Sequence, residues 1–172
     1  MVKEVDFYGI RSVILSNEKM EVRILPGKGG DIYQMTVLPE NITLLYNQEE
    51  NLPCYQEKDL YRERLEHYSQ DNIGGWQDVV PGFGRYGNKV ISERPVGIAA
   101  TVGWNVMWEG EAKDAKEICL DVDLPEFPLH LTKRIGLNET GLYVKEQIRN
   151  DGTDKAAVTW TQHSVFCGNF LA

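Results

Sequence analysis

The sequence predicts an all-β protein, an antiparallel β-sandwich. Apolar and polar residues alternate through most of the chain, and the alternating runs are rich in Val, Ile, Thr and Tyr. Short Gly- and Asn-bearing segments separate these runs, as expected for tight turns between antiparallel neighbours. A length of 172 residues suits one domain, 1–172, with a core large enough to bury.

Each element follows from its local pattern. "MEVRILP" (20–26) reads as a strand stopped by Pro26, and "GKGG" (27–30) as the turn after it. "DIYQMTVLP" (31–39) and "NITLLYN" (41–47) are expected as the next two strands. The charged stretch "YQEKDLYRERLEHYSQDN" (55–72) places Leu60, Arg64 and Leu65 at helical spacing, which predicts a short surface helix or ordered loop. "GGWQDVVPGFGRYGN" (74–88) is Gly-rich with embedded aromatics and is expected to be an irregular loop on a binding surface.

Longer strands are expected from Pro95 onward. "VGIAATVGWNVMWEGE" (96–111) and "AKEICLDVDLP" (115–125) come first. The segment 127–163 then divides into three strands, with turns "LNETG" (137–141) and "NDGTD" (150–154) that place Gly where positive φ is wanted.

Composition narrows the function. A net charge of −8 argues against nucleic acid or an anionic membrane surface as partner, because both demand a basic patch. Cys54, Cys119 and Cys167 are odd in number and far apart, so neither a disulfide framework nor a metal site is expected. The opening "MVKEVDFYGI" lacks the apolar run of a signal peptide, and a cytoplasmic location is the simplest expectation.

Few residues carry chemistry by their own pattern. No P-loop, dinucleotide fingerprint or metal-ligand spacing occurs, and no cofactor is expected. His67 lies in the charged stretch, and His130 alternates with Leu129 and Leu131 as a sheet-face residue. His163 ends the run "AAVTWTQH", where an imidazole on a strand end could exchange protons, although a histidine satisfied by backbone is the commoner outcome. Trp104 and Trp108 share even spacing and suit the core. Trp76, preceded by Gly74 and Gly75, is the better platform for the C–H face of a sugar. Asn72, Gln77, Asp78 and Gln162 are candidate hydroxyl partners.

Four stretches together resemble the aldose 1-epimerase family, the galactose-mutarotase-like proteins. They are "MEVRILPGKGGDIYQMTV", "NIGGWQDVVPGFGRYG", "VGIAATVGWNV" and "LTKRIGLNETGLYVKEQIRNDGTDKAAVTWTQHSVF", the last being the most specific. The resemblance covers the N-terminal part of the family's fold. It implies a large antiparallel sandwich that binds an aldose in an open cleft and interconverts its anomers through a histidine acid and a glutamate base.

Position by position, His163 matches the catalytic acid; Trp76, Gln162 and Asp78 are sugar-binding candidates on their local pattern, and Arg85 or Arg94 is a candidate to stand in for an arginine of the family's hexose-phosphate branch. Val96 stands where the family carries a second histidine. Ile73 and Ala100 stand where its hexose-phosphate branch carries arginines, so a phosphorylated sugar is not expected. The family's glutamate base lies in a part of the fold beyond Ala172, and Glu146 and Asp78 do not match its motif.

Two readings follow. One is a carbohydrate-binding protein related to anomer-interconverting isomerases, whose catalysis needs a missing C-terminal part. The other is a non-catalytic interaction or structural module. Free sheet edges would favour a homodimer joined through its β-sheets, against a self-sufficient monomer in which 55–72 folds over the open face.

Overall fold

The computed structural model describes residues 2–50, 52, 73–92, 97–107 and 117–168. The described residues form an antiparallel β-sandwich with no α-helix. Two hairpins begin the larger sheet: β1 (Val2–Phe7) with β2 (Ile10–Ser16), and β3 (Met20–Leu25) with β4 (Asp31–Val37). The short β5 (Ile42–Thr43) pairs with β4. This sheet continues through β6 (Trp76–Val79) to β14 (Thr161–Ser164), giving the order β1-β2-β3-β4-β6-β14. A four-stranded sheet packs against it in the order β12 (Gly141–Asn150), β11 (Leu129–Asn138), β10 (Glu117–Asp123), β9 (Asn105–Met107). The third sheet joins β7 (Gly84–Tyr86), β8 (Lys89–Ser92) and β13 (Ala156–Val158) in the order β13-β7-β8.

Alternation decides which side chains meet in the core. Val13 and Leu15 of β2 and Val22 and Ile24 of β3 belong to one buried cluster with Ile118, Leu120 and Val122 of β10 and Leu129, Leu131 and Ile135 of β11. Burying each such side chain contributes about 1.5–3 kcal/mol relative to exposure. Tyr86, Ile91, Ala156 and Val158 pack against this cluster from the third sheet. A separate cluster of Ile10, Leu25, Tyr33, Leu52 and Ile73 is flanked by Phe7.

Several sequence expectations change. The expected strand 41–47 shrinks to β5, with isolated bridges at Leu45 and Asn47. The expected loop 74–88 instead supplies β6 and β7, so Trp76 opens a strand. Gly74 and Gly75 make this possible. Both have positive φ, and a Cβ would strike the carbonyl oxygen of Tyr46 at Gly74 or of Ile32 at Gly75.

The expected long strand 96–111 is interrupted by a buried 3-10 turn, Ile98–Thr101, and only β9 remains of it among the described residues. Trp104 lies before β9, buried, with its indole N–H donating to Ala99 O at 3.0 Å. The third strand of 127–163 breaks into β13 and β14 at Thr159 and Trp160. Gly141 takes positive φ as expected, but Gly152 does not. Gly152 is needed for a different reason: a Cβ there would strike the Tyr86 hydroxyl. The sequence expectations at Cys54, 55–72, His67, Arg94, Val96 and Trp108 lie outside the described residues.

Candidate functional site

Two cross-strand pairs, one from each main sheet, meet where the two sheets approach each other. Lys133 of β11 lies directly opposite Glu146 of β12. Gln162 of β14 lies directly opposite Asp78 of β6. Facing partners in an antiparallel ladder point to the same side, so each pair acts as a unit. Lys133 falls in the inward row Leu129, Leu131, Lys133, Ile135, and Glu146 falls in the row Leu142, Val144, Glu146, Ile148. Period-2 geometry thus carries a lysine and a glutamate into rows that are otherwise apolar.

Contacts between the pairs are dense. The Lys133 ammonium donates to Asp78 Oδ2 at 2.5 Å and lies 3.5 Å from Glu146 Oε1. Gln162 Nε2 donates to Asp78 Oδ1 at 2.5 Å and to Glu146 Oε2 at 2.7 Å. The indole of Trp160 donates to Asp78 Oδ1 at 3.1 Å, and that of Trp76 donates to Gln162 Oε1. The orientation of the Gln162 amide follows from this chemistry: an indole N–H only donates, and an ionised carboxylate only accepts.

Electrostatics separate the two carboxyls. Burial pushes Asp78 up, but the Lys133 ammonium and hydrogen bonds from its neighbours outweigh burial and hold it below the ordinary range. Burial opposes the Lys133 charge, while Asp78 and Glu146 restore it and raise its pKa. Glu146 is pushed up to about 8, first by burial and then by the neighbouring Asp78 carboxyl. A carboxyl inclined to keep its proton therefore stands beside one inclined to lose it.

The sequence-predicted residues divide into three groups. Trp76, Gln162 and Asp78 are joined in one hydrogen-bonded cluster. Arg85 is not part of it. That residue lies on β7 and lines an open groove of about 500 Å³ with Phe83, Val90, Val158 and Thr159. His163 is opposite Gln77 in the β14–β6 ladder, one residue out of phase with Gln162, and so points to the other face of the sheet. His163 is exposed, whereas Gln77 is buried with its amide donating to Gly74 O at 3.1 Å. His130 contacts Asp123 Oδ1 at 2.7 Å through Nδ1, in keeping with a sheet-face residue.

Lys133 is the site member that sequence reasoning missed. A signal for Lys133 existed: it interrupts an apolar row, and the turn at 138–141 fixes its register opposite Glu146. Ile73 and Ala100 are buried, in core positions. Among the described residues no group of three or more His, Cys, Asp or Glu side chains could hold a metal ion. No described helix is long and apolar enough to cross a membrane.

Fold and site together define an antiparallel β-sandwich with a polar, Trp-bordered cluster where its two main sheets meet. A galactose mutarotase-like protein from Clostridium acetobutylicum has a similar fold, with TM-score 0.59 and 15% identity over 86% of this chain and 48% of its own. This chain therefore spans about half the length of that structure. A TPR-domain-containing protein from Parabacteroides distasonis (TM-score 0.49) and the 4-alpha-glucanotransferase of Thermococcus litoralis (0.47) align more loosely, each at 15% identity. No protein-family model and no curated protein matches the sequence.

Proposed function

We propose that this chain is a carbohydrate-binding β-sandwich of the aldose 1-epimerase-like kind, with its sugar against Trp76 and Gln162. The observation that supports this is the convergence of Trp76, Gln162 and Asp78. Their local sequence pattern singled these residues out separately, and they share one continuous set of hydrogen bonds. Trp76 is half-buried and Gln162 exposed, so the cluster offers an aromatic face beside a fixed amide. That pairing suits a sugar's C–H surface and hydroxyls. The galactose mutarotase-like fold neighbour lends the reading its ligand class.

Binding is proposed here, with little turnover from this chain by itself. His163 keeps the role of general acid only where a base reaches the Gln77 face of the sheet. Asp78 and Glu146 lie on the opposite face and do not complete that pair. The test is titration with glucose and galactose into millimolar concentrations, following the indole resonances of Trp76 and Trp160 and the side-chain amide of Gln162. Coincident shifts at these groups are expected, with weak affinity. Silence toward both sugars and other common aldoses would favour the competing reading, an interaction module. That reading has its own support in the groove bordered by the exposed Phe83 and Val90.

A further inference from the structure

Glu146 is the least balanced group in the cluster. Asp78 from β6 and Glu146 from β12 share one ammonium, Lys133 of β11. β14 contributes the neutral amide of Gln162 and no charge. Beyond them, Lys28 and Asp31 of the β3–β4 turn form a buried ion pair, and the Asp31 carboxyl also acts electrostatically on Lys133 and Asp78. A second negative charge on one ammonium in a buried setting is strongly opposed.

The hydrogen bonds lead to the same place. Glu146 Oε2 accepts from Gln162, but Glu146 Oε1 is buried and has no hydrogen-bond partner. That oxygen lies 3.5 Å from the Lys133 ammonium, which Asp78 Oδ2 already engages at 2.5 Å, and Gln162 Nε2 bridges the two carboxyls. A proton on Oε1 removes an unpaired buried acceptor and leaves the ammonium to Asp78.

We propose that Glu146 is a proton-bearing positioning residue: as a neutral acid it holds β12 against the β6–β14 ladder and keeps Gln162 and Trp76 set for an uncharged, hydroxyl-rich ligand. Loss of that proton to solvent places two carboxylates against one ammonium and loosens the Gln162 bridge. The raised pKa of Glu146 and the lowered pKa of Asp78 agree with this order of ionisation. The ligand class rests on the sugar-binding reading; the proton does not.

The test is carboxyl-carbon NMR on the full chain without sugar, for the wild type and Glu146→Gln. The wild type is expected to show a glutamate carboxyl titrating near 8 that is absent from the variant. The Trp76 indole resonance should move with the same midpoint in the wild type and stay still in the variant. Galactose affinity should fall several-fold from about pH 6 to about pH 10 in the wild type and hold in the variant. A Glu146 carboxyl already ionised at about pH 6, or a Trp76 indole indifferent to its titration, overturns the proposal. Should the variant fail to fold, the wild-type titration still decides. A titration near 8 without any galactose response supports the proton-bearing role and removes the sugar reading.

Discussion

Lys28 and Lys133 are both fully buried in this sandwich, yet they sit in opposite surroundings. Lys28 pairs with Asp31 three residues along the β3–β4 turn, one cation to one anion, with both side chains closed off from solvent. Lys133 faces two carboxyls from two different strands, beneath the half-buried Trp76 and the exposed Gln162. A one-to-one pair is neutral while both members are ionised. One cation between two acids keeps a proton in play near neutrality. The difference teaches that a buried charge by itself does not mark a site. An unbalanced set near solvent is the better indicator.

Removing Lys133 should show this contrast most strongly. Lys133→Met leaves Asp78 buried without its cation and should cost about 3–5 kcal/mol in urea denaturation. A loss below about 1 kcal/mol would mean that the ammonium carries no weight in the core. At the other lysine, Lys28→Met combined with Asp31→Leu should be close to neutral, because a balanced pair replaced whole leaves no stranded charge. Asp31→Leu alone should be clearly worse than the double change, and equal costs would break the comparison.

Proton linkage separates the same two regions by pH. Asp31 is pushed up to about 6, mainly by burial, and Glu146 to about 8. In both cases the folded state binds protons that the unfolded state has released, so stability falls as pH rises between the two pKa values. For Asp31 the decline runs from about 4 to about 6, and for Glu146 from about 4.5 to about 8. Of these two groups only Glu146 contributes above about pH 6, and Glu146→Gln should flatten a fall of several degrees in melting temperature. A variant that retains the wild-type slope there would assign it to another group.

Smaller effects test the two faces of β14. Trp76→Ala should weaken sugar binding about tenfold, equivalent to one aromatic contact of roughly 1.4 kcal/mol. His163→Ala, at an exposed position on the other face, should change stability by no more than about 0.5 kcal/mol. It should also leave a polarimetric mutarotation assay near the buffer rate. A clear acceleration by the wild type, abolished in His163→Ala, would place a working base on the histidine face.

Legibility followed the range of the interactions. The β11–β12 hairpin was readable because the turn 137–141 and alternation on either side fix its register locally. Asn138 reinforces that turn by accepting from the backbone N–H groups of Thr140 and Gly141. The segment 74–88 was misread as a loop because its glycines looked like breaks. They serve instead to bring β6 close to β4 and to the backbone around Tyr46. At 96–111, alternation gave the wrong answer: Ile98–Thr101 is buried as a short turn, and tertiary burial outweighed strand propensity.

For the site, the sequence by itself determined the chemical groups and, through period-2 alternation, which neighbours share a face. Gln162 and His163 were fixed on opposite sides of one strand the moment β14 formed. It also determined that Lys133 and Glu146 face each other, since a hairpin register depends on its own turn. Tertiary structure alone decided that this pair meets Asp78 and Gln162. Those residues come from β6 and β14 of the other sheet, and their approach depends on how the two sheets stack. The proton on Glu146 belongs to the same category. Its pKa depends on burial and on a carboxylate brought in from far along the chain, and no local pattern encodes either.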